Sequence, residues 1–284
     1  MSIQISSGKV REIYDAGADR LLIVTSDRIS AFDVIMKTEI SGKGAILNQM
    51  SLFWFDFLKD CIPTHFISAD PADFPAPFHT DPYCRGRAML VKKLNMLPFE
   101  CIVRGYITGS AWSSYQKTGE ICGIKIPAGM RESEKFAAPL FTPSTKAESG
   151  HDENVSFEFM EAKLGSALAA QVRDATLAIY TKAADYALSR GIIIADTKFE
   201  FGLDESGRLV LADEVLTPDS SRFWSAADYA VGRGQASFDK QFLRDWLKEN
   251  RLDGVEPAPE LPQSVVDGTY AKYKEAFDRL ASGK

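Results

Sequence analysis

Asp196-Thr-Lys-Phe-Glu-Phe-Gly202, followed by Asp213-Glu-Val-Leu-Thr-Pro-Asp-Ser-Ser-Arg222, is the part of this chain whose reading decides the fold. The first stretch alternates strictly. Asp196, Lys198 and Glu200 share one face of a strand, and Thr197, Phe199 and Phe201 the other. Leu203-Asp-Glu-Ser-Gly-Arg208 reads as a hairpin turn and Leu209-Val-Leu-Ala-Asp213 as the returning strand. A turn centred on Glu205-Ser206 sets Lys198 opposite Asp213 and Glu200 opposite Leu211. Glu200 and Asp213 are then diagonal neighbours, roughly 7–8 Å apart at Cα. Two carboxylates and a lysine converging there suit a magnesium–phosphate site, because Mg²⁺ takes one or two carboxylates plus phosphate oxygens. One residue more or fewer in the loop sends the two carboxylates to opposite faces.

Around that hairpin, 284 residues leave room for two lobes. A composition of 45% hydrophobic and 25% charged residues is ordinary for a globular protein in water. The formal charge of −6 argues against a nucleic-acid partner, which calls for a basic surplus. Any anionic substrate must be drawn in by a local cationic pocket. Cys61, Cys84, Cys101 and Cys122 show no CxxC spacing, and His65, His79 and His151 complete no zinc pattern. Reduced thiols are expected, in a cytoplasmic protein. The residues before Gly8 are polar, with no apolar signal region and no long apolar run after them, so no membrane partner is expected.

Residues 8 to 39 are β-rich, and Asn48 to Lys59 has helical length with a broad apolar face. Asp70 to Pro82 is Pro- and Asp-rich loop, and Met89–Leu94 and Phe99–Arg104 return to strand character. Residues 105 to 156 hold few periodic runs and read as a long functional or disordered connection. Ser166 is expected to cap a helix running through Ser189, and Ser237 one over Phe238 to Glu249. A linker from Pro257 to Pro262 precedes a last helix, Val265 to Leu280, with Tyr273, Phe277 and Leu280 on its buried side.

Eight stretches, taken in order, resemble the SAICAR synthetase family of purine biosynthesis. They are Gly8 to Tyr14, Ser26 to Asp33, Val91 to Pro98, Glu100 to Ser110, Gly150 to Asn154, Asp196 to Gly202, Asp213 to Trp224 and Ser237 to Phe242. Each is weak alone; their shared order over nearly the whole chain is specific. The resemblance implies an α+β, two-lobed fold with a nucleotide cleft similar to those of kinases and ATP-grasp ligases. A small β-rich ATP-binding lobe would cover 1–94, a larger substrate- and metal-binding lobe 95–256, and a linker with a C-terminal helix 257–284. It implies ligation of L-aspartate to carboxyaminoimidazole ribonucleotide (CAIR), with ATP split to ADP and phosphate and Mg²⁺ as cofactor. It implies no obligate protein partner. The 112–148 connection and the C-terminal helix mark the longer form of the family.

The same resemblance distributes roles. Gly8, Lys9 and Arg11 would meet the ATP phosphates, with Gly8 allowing close backbone approach. Lys92, Leu94 and Met96 lie on the segment that would meet the adenine, and Lys146 would reach the ATP phosphates. Arg104, Ser110, Ser221 and Arg222, joined by Lys198, match positions that hold the ribonucleotide phosphate, where an arginine fork suits a phosphate. Ser26, Asp27, Arg28, Ser30, Glu100 and Asp152 would touch substrates. Glu200 and Asp213 would hold the metal and, with Lys198, form the catalytic set. Two rivals use the same parts: a small-molecule kinase with a hydroxyl acceptor, and a non-catalytic nucleotide-binding module.

Overall fold

The structure is a computed structural model that describes residues 3–146 and 152–281. An antiparallel sheet of five strands opens the chain, in the spatial order Gln4–Ser7, Arg11–Asp15, Arg20–Thr25, Ala88–Lys92, Phe66–Ser68. Period-two alternation in Arg20–Thr25 feeds two cores. Leu22 and Val24 pack with Phe74, Cys84 and Leu90 on one side, and Ile23 joins Met50, Trp54 and Met89 on the other.

Helix α1 (Lys43–Leu58) packs on that second side. It begins five residues before the periodic run at Asn48, for reasons that lie elsewhere in the chain. The Gly44 amide donates to Asp27 Oδ1 at 2.8 Å, and a Cβ on Gly44 would stand 2.3 Å from the Thr25 carbonyl oxygen. Only glycine admits that approach.

A sheet of seven strands follows. Its spine runs Lys135–Phe141, Phe99–Tyr106, Ile192–Leu203, Leu209–Ala212, with Asn95–Met96, Ser144–Thr145 and Ser221–Ser225 paired alongside. Helix α4 (Ser166–Ser189) buries Val172, Ile179 and Ala183 in the same core as Val103, Ile194 and Phe199. In Ile192–Leu203 the register against Ser221–Ser225 shifts between Ile194 and Asp196. That bulge changes the parity of the strand. Ile192 and Ile194 join the core before it, Phe199 and Phe201 after it, which leaves Asp196, Lys198 and Glu200 on the opposite face.

The described part of the 105–156 stretch, 105–146 and 152–156, is far more ordered than its lack of periodicity suggests. It holds helix α2 (Gly109–Thr118), a small hairpin of Glu120–Ile121 with Ile124–Lys125, and the edge strand Lys135–Phe141. Ile107, Ala111, Ile121 and Phe136 form a core of their own beneath it. Short elements of two to ten residues leave little periodic trace. Helix α3 (Phe157–Leu164), capped by Ser156 and ended at Gly165, separates this region from α4. Gly165, not Ser166, occupies the α4 cap position. Helix α5 (Gln241–Glu249) starts later than Phe238, because Asp239 Oδ1 accepts the Gln241 amide at 2.7 Å while Ser237 is tied to Asp239. Helix α6 (Gln263–Ala281) closes the fold, packing Val265 and Tyr273 into a core with Ile46, Leu47, Leu243 and Leu247. No helix among the described residues is long and apolar enough to cross a membrane. All four cysteines are free.

Candidate active site

The decisive hairpin pairs Glu200 with Ala212 and Leu203 with Leu209. This is one residue off the register expected from a turn at Glu205-Ser206. The loop is 204–208, centred on Ser206: Asp204 Oδ1 accepts the amides of Ser206 and Arg208, each at 3.0 Å, and Gly207 is left-handed with φ 79°. Alternation alone would then turn Asp213 away from Glu200. A backbone device intervenes. Asp213 lies just beyond the strand end at Ala212 and takes a left-handed φ of 57°, so strand parity no longer sets its direction.

The two carboxylates lie close enough to perturb each other. Burial pushes the Glu200 carboxyl above its ordinary range, and the Asp213 charge pushes it further against Lys146 and Lys198. Burial opposes ionisation of Asp213 too, but Arg11 foremost, then Lys198 and Lys146, hold it below the carboxylate range. Arg11 donates to Asp213 at 2.9 Å and pairs with Glu214 at 3.1 Å. Lys146 pairs with Glu200, and Lys198 with Glu100. Lys198 keeps its proton above the usual lysine range, since Glu100 and Glu200 together outweigh its burial. His65 stands buried near Asp213 and Arg11, its imidazole pushed down to about 4, chiefly by burial. No group of three or more His, Cys, Asp and Glu side chains able to hold a metal occurs among the described residues. An ion here would rest on Glu200, Asp213 and ligand oxygens, and this oxygen-only set fits Mg²⁺.

Glu200 and Asp213 do not themselves line the anion pocket of about 190 Å³, but Lys198, which feels both charges, does. Its lining includes Arg104, Lys198, Arg222 and Arg244, four cations against the two carboxylates Asp196 and Asp219. The local surplus of positive charge reverses the chain's net −6. Asp196 is register partner to both Arg104 and Arg222 and accepts hydrogen bonds from both. Arg104, 3% exposed, also donates to Thr142 Oγ1 at 3.0 Å and to Ser110 Oγ at 3.4 Å. Ser221 Oγ lies 2.8 Å from Thr197 Oγ1. Gly109 has a left-handed φ of 56°, and a Cβ there would stand 2.5 Å from an Arg222 guanidinium nitrogen, so any side chain would displace that arginine. Gly109 also opens α2, whose cap residue Thr108 contributes no side-chain hydrogen bond. The uncapped amides and the helix dipole therefore favour an anion at this end.

The anion pocket adjoins a larger cavity of about 930 Å³, and the two share Lys198, Asp219, Arg222 and Arg244. Lys9, Ser30, Glu100 and Asp152 line the larger one, as do Thr108 and Gly109. Lys9 pairs with Asp33, which lines it too. Other sequence-derived residues stand outside both linings. Asp27 caps α1 and pairs with Arg87 at 3.0 Å, Ser26 donates to the Val10 carbonyl at 2.8 Å, and Arg28 pairs with Glu12 and donates to the Gly8 carbonyl. Lys92 and Met96 are exposed. Leu94 packs where Gly202 allows close approach, since a Cβ there would lie 2.7 Å from Leu94 Cβ. His151, in the Gly150–Asn154 stretch, falls outside the described residues.

Four site residues were not singled out from sequence: Asp196, Asp219, Lys240 and Arg244. For Asp196 the signal was present, since it shares a strand face with Lys198 and Glu200. Lys240 and Arg244 flank the start of α5, and nothing local to them announces that this helix end lines the cavity.

A cationic pocket, a carboxylate pair of buried Glu200 and half-buried Asp213, and a large polar cavity together define an enzyme that handles phosphorylated substrates. The comparisons make this specific. The sequence profile of SAICAR synthetase matches residues 4–261. The phosphoribosylaminoimidazole-succinocarboxamide synthase of Lachnospira eligens is 56% identical, over 98% of this chain and 94% of its own length. That of Maridesulfovibrio salexigens is also 56% identical, over 99% and 94%. The SAICAR synthase of Saccharomyces cerevisiae in complex with SAICAR superposes with a TM-score of 0.92 at 47% identity, covering 100% of this chain and 96% of that one. A SAICAR synthetase in complex with ADP gives 0.71 at 26% identity, covering 98% of each chain. The chain belongs to the SAICAR synthetase family.

Proposed function

We propose that the two joined cavities divide the labour of the family's reaction, the ATP-dependent ligation of L-aspartate to CAIR. The smaller one takes the CAIR phosphate, on Arg104, Arg222, Ser110, Ser221 and Lys198 and at the N-terminus of α2. The imidazole carboxylate then points into the larger cavity, toward Glu100, Lys198 and the Glu200–Asp213 pair. The ATP phosphates approach from the side of Gly8, Lys9, Arg11 and Lys146, with the adenine near Lys92, Leu94 and Met96. Ser30 and Asp152 meet substrates from the cavity wall. Ser26, Asp27 and Arg28 support that wall from behind. The division into 1–94, 95–256 and 257–284 is part of this reading, as is a cytoplasmic setting.

The chemistry follows from charge. A carboxylate carbon resists attack because its leaving group would be oxide; phosphorylation supplies a better one. The CAIR carboxylate oxygen forms a bond to the γ-phosphorus as the bond to the ADP oxygen breaks, and ADP leaves. The aspartate amine then bonds to the acyl carbon, the C–O bond breaks, phosphate departs with that oxygen, and the amine gives up a proton. Glu200 and Asp213 would hold Mg²⁺, which when bound neutralises phosphate oxygens. Arg11 keeps Asp213 ionised for that duty. Lys198, Lys9 and Lys146 supply fixed positive charge, and the site contributes by alignment and electrostatics.

The observation that carries this reading is the position of Lys198, which lines both the cationic pocket and the larger cavity and lies within electrostatic reach of Glu200 and Asp213. Free phosphate assayed with ATP, with and without CAIR and L-aspartate, tests it. Phosphate release that needs CAIR, with SAICAR formed only when aspartate is present, is expected. Phosphate release indifferent to CAIR, or transfer to a hydroxyl with no free phosphate, contradicts it.

A further inference from the structure

Asp219 lines both cavities, yet its side chain is only 2% exposed. Three elements converge on its carboxylate. Lys43, in the first turn of α1, donates to Oδ2 at 2.9 Å, and Lys240, just before α5, pairs with the same oxygen at 3.3 Å. Tyr273, in the middle of α6, donates to Oδ1 at 2.6 Å. Both lysines therefore serve one oxygen and the tyrosine the other. Burial of a carboxylate is tolerable only when its oxygens are satisfied. Without the Tyr273 hydroxyl, the strongest remaining pull on Asp219 comes from the two ammonium groups at Oδ2.

Asp219 sits in the tight turn 217–220. Its amide donates to Thr217 Oγ1 at 3.2 Å, and the Ser220 amide to the Thr217 carbonyl at 3.1 Å. The next two residues are Ser221 and Arg222, paired with Thr197 and Asp196 on the central strand. Asp219 thus ties the turn that precedes those two side chains to α1, to the residue before α5 and to α6.

We propose that Tyr273, on the C-terminal helix, is a positioning residue for the ribonucleotide phosphate subsite: its hydroxyl holds the buried Asp219 carboxylate and, through it, the turn presenting Ser221 and Arg222. This rests on the reading that Ser221 and Arg222 hold that phosphate. It gives α6 a kinetic role beyond covering α1. Tyr273 touches no substrate and acts through Asp219.

Tyr273→Phe preserves the ring and its packing and removes only the hydroxyl. With ATP, Mg²⁺ and aspartate saturating, KM for CAIR is expected to rise roughly 10-fold, the scale of a lost hydrogen bond to a charged group, while KM for ATP stays as in the parent. Tyr186→Phe is the control for a merely structural role, because the Tyr186 hydroxyl also anchors α6, by donating to the Leu280 carbonyl at 2.7 Å, far from Asp219 in the network. Tyr186→Phe should lower the melting temperature and leave KM for CAIR unchanged. A Tyr273→Phe enzyme that behaves like Tyr186→Phe overturns the proposal. Arg222→Lys separates the two levels. If it raises KM for CAIR and Tyr273→Phe does not, only the role of Tyr273 fails; if it has no effect, the phosphate reading fails and the proposal with it. Should Tyr273→Phe not fold, hydrogen exchange on the parent protein decides. By reciprocity of coupling, CAIR should slow exchange of α6 amides around Tyr273, and exchange indifferent to CAIR refutes the coupling.

Discussion

Arg222 and Asp196 face each other directly on adjacent antiparallel strands, and their side chains form an ion pair. The carboxylate aims the guanidinium at the anion pocket before any ligand arrives, and it aims Arg104 as well. Such pre-organisation reduces the ordering cost of binding a phosphate. Arg222→Lys keeps the charge but loses the planar fork. CAIR binding should weaken by about 10-fold or more, as expected for a lost bidentate contact, with ATP binding unchanged. Calorimetry on each ligand separately checks this, and equal weakening of both would reassign Arg222 to general support of the fold.

Gly109 offers an independent approach to the same pocket. A methyl group there would meet the Arg222 guanidinium at 2.5 Å, in a backbone conformation that disfavours a side chain. Gly109→Ala should cost about 1 kcal/mol of stability and weaken CAIR binding in parallel with Arg222→Lys. Denaturant midpoints and CAIR titrations read the two effects apart. Normal CAIR affinity in this variant would mean that the α2 N-terminus lies off the ligand's path.

Asp213 carries the metal assignment. Asp213→Asn keeps the shape and removes the charge, and turnover should fall by at least about 100-fold, the scale of a lost electrostatic stabiliser. The circular dichroism spectrum should stay that of the parent. Near-normal turnover at saturating Mg²⁺ would withdraw Asp213 from the site.

Asp219 gives a pH prediction. Burial opposes its ionisation, but Lys240 and Lys43, helped by the Tyr273 hydroxyl, hold its carboxyl well below the ordinary range. A carboxyl depressed in the folded state binds fewer protons there than when unfolded. Its stabilisation is therefore complete above the unfolded pKa of about 3.9 and is lost as pH falls below it toward the folded value. Denaturant titrations of the parent and Asp219→Asn should show a gap that is largest near neutrality and narrows in acid. A gap independent of pH would mean that the carboxylate charge is not what stabilises the cluster.

The central strand was legible because strict alternation from Asp196 to Phe201 survives folding intact. Its bulge at Ile194–Asp196 was not, since Ile192, Ile193 and Ile194 are all apolar and show no parity to break. The hairpin register shifted by one because Asp204 organises a longer turn than the dipeptide Glu205-Ser206 suggests. Asp213 still comes close to Glu200, through a left-handed backbone that no residue pattern announced. Asp27 is a parallel case in the other direction. Its place in the Ser26 to Asp33 stretch suggested substrate contact, whereas its oxygens go to the start of α1 and to Arg87. Side chains whose partners lie 17 and 60 residues away in sequence cannot be assigned from local spacing.

The order of bond making is the most exposed part of the account. With ¹⁸O in the CAIR carboxylate, an acyl phosphate route sends one labelled oxygen to each phosphate released, because the oxygen that bonds to the γ-phosphorus stays on it when the aspartate amine breaks that oxygen's bond to the acyl carbon. Mass spectrometry of phosphate collected during SAICAR synthesis reads this directly. Labelled phosphate in step with SAICAR is predicted. Unlabelled phosphate accompanying authentic SAICAR would contradict the mechanism, and Lys198, Glu200 and Asp213 would then have to act on water or on the aspartate amine.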